Sequence, residues 1–185
     1  MNFIDRSALS LARSIRAHHQ ESGSEVALKY ALSLLINTTI AVCFVLVVTA
    51  FTGALQQALL AMAAFLFIRY FSGGLHMSSS LSCCIMTIGI FLTLAYVNFP
   101  YYYWGFIIDS ISILIFVKTA PNGIENVSRV PVKYYPLLKV ISIVTVAVNF
   151  FIQSPVFTAA FFIQAVLTTK FGYSARDSIE RRLAK

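Results

Sequence analysis

The stretch from Tyr30 to Phe51 contains no lysine, arginine, aspartate or glutamate, and it is long enough to cross the hydrocarbon core of a bilayer as one helix. The whole chain shares this character, since 58% of its 185 residues are hydrophobic and 11% are charged. A soluble domain carries about 25% charged residues, so this chain lacks the charge that a water-exposed surface requires. The sequence therefore predicts an integral membrane protein.

Five further apolar segments follow the first, at residues 54–68, 81–99, 101–117, 140–152 and 156–168. The last two flank Gln153-Ser154-Pro155 and form either one bent span or a hairpin of two helices. Because Gln-Ser-Pro is a good turn sequence, we favour two helices. We predict an all-α polytopic membrane protein with about six transmembrane helices, forming one membrane-embedded domain over residues 1–185.

Residues 1–29 predict an amphipathic N-terminal segment. Apolar residues recur at helical spacing, and arginines occupy the other faces. The apolar positions are Ile4, Ala8, Leu11, Ala12 and Ile15. Such a helix either lies in an anionic membrane surface as an interfacial helix or packs against the bundle, and the pattern alone leaves both possibilities open.

The basic residues predict which side of the membrane each connection faces. With six spans, every Lys and Arg falls in one of four segments on the same side: the N-terminal tail, the break that contains Arg69, the loop 118–139 and the C-terminal tail. Basic segments stay in the cytoplasm, so these four segments are predicted to be cytoplasmic. A four-span arrangement with re-entrant segments keeps the same sidedness. The net charge of +7 then reflects topology and anionic lipid, and it does not indicate nucleic-acid binding.

The polar break from Arg69 to Cys84 collects the reactive side chains. Gly73 and Gly74 interrupt the helix, and the serines at 78–80 offer N-cap oxygens for the next one. If Ser80 is the cap, Cys83 is the third helical residue, where unpaired amides and the helix dipole favour a thiolate. Cys84 then points about 100° away. In a reducing cytoplasm both cysteines are expected to be free thiols.

His76 is the candidate base for Cys83. A chain that folds back at the glycines and serines brings the imidazole toward the thiol, as nucleophilic cysteine catalysis requires. The alternative is a histidine at a water-exposed turn beside small buried cysteines. Cys43, inside the first span, is expected to be a small core residue.

Other catalytic systems find little support in the sequence. It contains no His-Glu-x-x-His and no Gly-x-Ser-x-Gly motif, and we expect neither a metal nor a cofactor. Asp109 is the sole acid in a predicted span, and an acid there is a functional candidate by default. It is expected to pair with Arg69, to orient His76 or to make a structural hydrogen bond to a neighbouring helix.

The pattern of Arg69, Gly73-Gly74-Leu75-His76 and Cys83 resembles the accessory gene regulator protein B (AgrB) family, bacterial membrane peptidases that process the precursors of cyclic quorum-sensing peptides. The resemblance extends to the basic N-terminal helix, the hydrophobic segments and a loop that opens with Ala120-Pro121. The spacing from His76 selects Cys83 over its neighbour Cys84.

The resemblance implies a membrane cysteine endopeptidase with His76 and Cys83 as catalytic residues. Arg69, Gly73 and Gly74 would support the site or position the substrate. The implied substrate is a propeptide with an amphipathic helix and an acidic C-terminal tail, and the implied product is a thiolactone or lactone ring. The resemblance also implies a homodimer in the bacterial cell membrane. A different class of function stays open, a non-enzymatic small-peptide transporter or membrane scaffold in which the break is a gating hinge.

Overall fold

The computed structural model describes residues 3–19, 23–75, 77, 79–124 and 130–183. Within these ranges the chain forms α-helices joined by short connections, with no β-strand. The helices are α1 (Phe3–His18), α2 (Glu25–Phe51), α3 (Leu55–Ser72), α4 (Ser80–Ala95), α5 (Tyr101–Thr119), α6 (Tyr135–Ile152), α7 (Pro155–Leu167) and α8 (Lys170–Leu183). A short 3-10 helix, Val132–Tyr134, precedes α6.

The six predicted apolar segments correspond to α2 through α7, which confirms the all-α polytopic prediction. In the described part of the chain, four helices are long and apolar enough to cross a membrane: α2, α3, α5, and α6 together with its 3-10 turn. Helix α4 is apolar but shorter, with 16 residues. Helices α7 and α8 pass the same length test only as a pair that bends by 76°. Helix α8 itself was not predicted.

The turn between α6 and α7 confirms that residues 140–168 form two helices. Gln153 adopts a left-handed conformation with φ 57° and ends α6. The Ser154 hydroxyl accepts a hydrogen bond from the Phe157 amide at 3.4 Å, and Pro155 occupies the first helical position, where its missing N–H is not needed.

The described residues form three buried hydrophobic clusters, and α7 contributes to the two larger ones. Val45, Phe65, Phe91 and Ala160 join α2, α3, α4 and α7, and the Phe65 and Phe91 rings meet edge to face at 5.6 Å. The second cluster joins α3, α5, α6 and α7 through residues that include Ile68, Phe116, Val146 and Phe161. The central position of α7 allows its polar residues to reach both α3 and α5.

Helix α1 packs against α2 and α4. Ile4, Ala8 and Ala12 are buried, whereas Leu11 from the predicted apolar stripe is 47% exposed. The Ser80 hydroxyl donates a 2.8 Å hydrogen bond to Asp5, which ties α1 to the start of α4. The structure shows that this helix packs against the bundle, and its position at the membrane surface stays a prediction.

Asp109 is fully buried and lies in a hydrogen-bonded network among α5, α6 and α7. Its Oδ2 accepts from the Tyr101 hydroxyl at 2.8 Å, from Asn149 Nδ2 at 2.9 Å and from the Thr158 hydroxyl at 3.2 Å. Its Oδ1 has no partner among the described residues. Of the three roles considered for Asp109, the structure shows the hydrogen bond to neighbouring helices.

Candidate active site

The glycine pair follows α3 in a positive-φ conformation that is held by hydrogen bonds to the loop after α5. Gly73 has φ 69° and Gly74 has φ 129°, a region that side chains rarely adopt. The Gly74 amide donates to the Asn122 carbonyl at 2.7 Å, and the Asn122 amide donates to the Ser72 carbonyl at 3.0 Å. A Cβ on Gly73 would collide with that Asn122 carbonyl. Glycine at these two positions therefore allows the end of α3 to contact the backbone of the loop after α5 closely.

Gln164 reaches from α7 into the same break and is fully buried. Its Nε2 donates to the Ser72 hydroxyl at 2.9 Å and to the Gly73 carbonyl at 2.5 Å, and its Oε1 accepts from Arg69 at 3.3 Å. Asn122 is fixed in turn, since its Nδ2 donates to the Thr168 carbonyl at 2.7 Å. Sequence reasoning missed both residues. A glutamine inside an apolar segment was the signal available for Gln164.

The Arg69 side chain turns back over the break. One guanidinium nitrogen donates to the Leu75 carbonyl at 2.7 Å and another donates to Gln164. No carboxylate forms an ion pair with Arg69 within the described part of the chain. Arg69 and Cys83 line one common cavity, so an anion that enters this cavity would meet the positive charge of the guanidinium group.

The two adjacent thiols occupy different environments. Cys84 is 4% exposed, and its Sγ lies 3.8 Å from the Asn37 carbonyl. Cys83 is half-buried and lines two cavities, and Cys84 is in the wall of neither. The prediction that the two thiols cannot serve one place therefore agrees with the structure.

The predicted helix start was wrong by one residue. The cap is Ser79, whose carbonyl accepts from the Cys83 amide at 3.0 Å, so Cys83 is the fourth residue of α4. Ser80 is already helical, and its hydroxyl donates to Asp5 instead of capping. Cys83 still lies in the first turn of α4, but its own amide is already bonded.

Cys83 lines two cavities. The larger one, about 320 Å³, lies between α1, α2 and α4, and its wall includes Asp5, Lys29, Asn37 and Met77. The smaller one, about 80 Å³, lies between α2, α3, α4 and α7, and Arg69 is in its wall. The structure thus brings Arg69 and Cys83 to one cavity at the end of the break. Gly73 and Gly74 are not among the residues that line this cavity.

His76 lies outside the described residues, so its pairing with Cys83 stays a prediction. Cys43 was expected in the core, and that expectation was wrong, because its side chain is exposed. The buried face of α2 runs through Ser33, Asn37, Ala41, Val45 and Thr49, and position 43 points elsewhere. Among the described residues, no three His, Cys, Asp or Glu side chains lie close enough together to hold a metal ion.

A sequence model of the family Accessory gene regulator B matches residues 6–173 of the 185-residue chain. The chain belongs to this family. Membership of the accessory gene regulator B family places the protein in the processing of quorum-sensing propeptides at a membrane. No curated protein and no solved structure gave a significant match to the chain.

Proposed function

We propose that this protein is a membrane cysteine endopeptidase that removes the C-terminal tail of a quorum-sensing propeptide and promotes cyclisation of the remaining peptide. The contrast between the two thiols carries the proposal. Cys83 lines two cavities and shares one of them with Arg69, which has no carboxylate partner among the described residues, whereas Cys84 is packed against α2. A nucleophilic thiol needs access and a positive environment, and of these two cysteines Cys83 has both.

In the first step, Cys83 Sγ attacks the carbonyl carbon of the peptide bond before the tail, and His76 accepts the thiol proton. The C–N bond then breaks, and His76 returns the proton to the amine of the departing tail. The signal peptide stays on Cys83 as a thioester.

In the second step, a cysteine or serine side chain of the peptide attacks the thioester carbonyl. Its proton passes through His76 to the Cys83 sulfur, which leaves as the free thiol, and a thiolactone or lactone ring is released. Water must be kept from the thioester for cyclisation to win. The apolar walls of the smaller cavity, among them Phe65, Phe91 and Leu167, support this exclusion.

The remaining parts of the proposal concern surroundings and partners. The distribution of basic residues supports a bacterial cell-membrane protein with both termini and the break in the cytoplasm. Arg69 and the basic residues of the loop 118–139 would attract an acidic tail. The partners proposed are the propeptide, the bilayer and a second copy of the chain.

The test is co-expression with the propeptide encoded beside this protein's gene, followed by mass spectrometry of the membrane fraction. We expect Cys83→Ala to abolish cleavage and Cys84→Ala to retain most of it, each at wild-type membrane level. Normal cleavage by both variants would reject the cysteine-peptidase function and favour a transporter or scaffold. Loss of cleavage in Cys84→Ala with normal cleavage in Cys83→Ala would identify Cys84 as the nucleophile and reject the assignment to Cys83.

A further inference from the structure

Asn37 is a buried polar residue that the fold leaves unsatisfied. It lies on the inner face of α2 and is 3% exposed, yet its carboxamide oxygen has no hydrogen-bond partner among the described residues. Buried polar groups in proteins are nearly always paired, and an unpaired one lowers stability. Asn37 therefore does not serve the fold through this oxygen.

The surroundings of Asn37 are those of the candidate nucleophile. Leu34, Asn37 and Cys83 are the residues common to the walls of the larger and the smaller cavity. The main-chain carbonyl of Asn37 also contacts Cys84 Sγ at 3.8 Å, so this turn of α2 lies beside the N-terminal part of α4. The unpaired amide thus belongs to the same cavity walls as the Cys83 thiol.

An extended peptide that presents a carbonyl carbon to Cys83 also brings backbone N–H groups into these cavities. Each such N–H loses its water on entry and needs an acceptor. Asn37 Oδ1 is an unpaired acceptor on a residue that lines both cavities.

Resting on the proposed function, we infer that Asn37 is a substrate-binding residue, and that its Oδ1 accepts a hydrogen bond from a backbone N–H of the peptide next to the scissile bond. The unpaired oxygen then lowers the stability of the protein without substrate and gains a hydrogen bond when the substrate binds. This assigns to α2 a direct part in a site whose predicted residues all lie between Arg69 and Cys83.

Asn37→Leu, in the full-length protein in membranes, separates this role from a structural one. Leucine has a similar size and removes the unpaired oxygen, so we expect thermal stability equal to or above that of the wild type. Processing of the propeptide should fall by about 10- to 100-fold in kcat/KM, mainly through KM, because a substrate N–H is left without an acceptor. A matched control is Asn149→Leu, the other buried asparagine, which should lose stability.

A substrate series identifies the bond itself. Peptides in which one amide flanking the scissile bond is replaced by an ester lack that single N–H. One ester position should weaken processing by the wild type and have a smaller effect on Asn37→Leu, the coupling expected of directly bonded groups. If Asn37→Leu fails to reach the membrane, Asn37→Ala takes its place in the same cycle.

Three results would reject the inference while leaving the proposed peptidase intact: Asn37→Leu processes like the wild type, it loses activity and stability together, or no ester position couples to it. In each of these cases Cys83→Ala remains inactive. Normal processing by Cys83→Ala would instead reject the proposed function itself.

Discussion

Two buried asparagines, Asn37 on α2 and Asn149 on α6, place the same side chain in two regions of the apolar bundle. Asn149 Nδ2 donates to Asp109, to Thr158 and to the Ser154 carbonyl, while its Oδ1 accepts from the Ser154 amide at 3.2 Å. The Asn37 carboxamide oxygen has no partner in the described part of the chain. Asn149 joins α5, α6 and α7, whereas Asn37 lines cavities that Cys83 also lines.

The difference shows how polar residues in an apolar bundle divide between fold and site. A saturated network holds helices in register and gains nothing from a ligand. An unsaturated group weakens the empty protein and gains a partner only when something binds. By this criterion Asn149, whose carboxamide nitrogen and oxygen are both bonded, serves the fold, and Asn37 serves the site.

The break between α3 and α4 combines both kinds of residue. Gln164, Asn122 and the glycine pair bond one another and hold the chain in place. Arg69 shares in these bonds and keeps a charge with no carboxylate partner among the described residues. The hydrogen bonds of Gln164, Asn122 and the glycine pair thus fix the chain at the break, and the Arg69 charge stays available to a ligand.

Of the predictions that test the contrast between site and fold residues, the largest effect on propeptide cleavage is expected at His76. His76→Ala should reduce propeptide cleavage by about 100-fold or more, the usual contribution of a positioned base, while thermal stability changes little. Cleavage is measured by mass spectrometry at matched membrane level. Wild-type cleavage in this variant contradicts the proposed pair with Cys83.

The second prediction tests the saturated region. Asn149→Leu removes one of the donors to Asp109 and a donor to Thr158, and it takes away the Asn149 Oδ1 that accepts from the Ser154 amide. We expect a loss of about 2–3 kcal/mol in the free energy of unfolding, measured in detergent micelles, and reduced membrane level as a result. Once corrected for folded protein, processing should stay within about twofold of wild type, because Asn149 is in the wall of neither cavity lined by Cys83. A stable Asn149→Leu would break the comparison.

The third prediction concerns the frame of the break. Gly73→Ala places a Cβ against the Asn122 carbonyl at a positive φ, and we expect a loss of about 1–3 kcal/mol together with slower processing. Gly89→Ala is the matched control, since Gly89 is helical with open space around it. That control should be neutral or slightly stabilising. Equal behaviour of the two variants would contradict the role assigned to Asn122.

The sequence predicted the apolar helices and the break, because length and hydrophobicity are local properties. It did not predict the contacts that hold the break, since Gln164 and Asn122 reach Gly73 across long stretches of chain. It also misplaced the start of α4, because neighbouring serines are equivalent caps until Asp5 takes one hydroxyl. Asn37 escaped notice for a related reason: its sequence neighbours do not reveal which α2 face is buried.

The smallest effect is expected at Cys43, where the sequence-based prediction of a core residue failed. Its side chain is exposed on the outer face of α2, so Cys43→Ala removes little packing and leaves no buried group unpaired. Changes at such positions lie within about 0.5 kcal/mol, and processing should match the wild type. Thermal unfolding and the propeptide cleavage assay check both expectations.

Because the chain has three cysteines, Cys43→Ala also removes the one thiol outside the break and leaves Cys83 and Cys84 for labelling. A marked loss of stability in Cys43→Ala would mean that another chain covers this face of α2, and a second copy of the protein is the first partner to test by crosslinking.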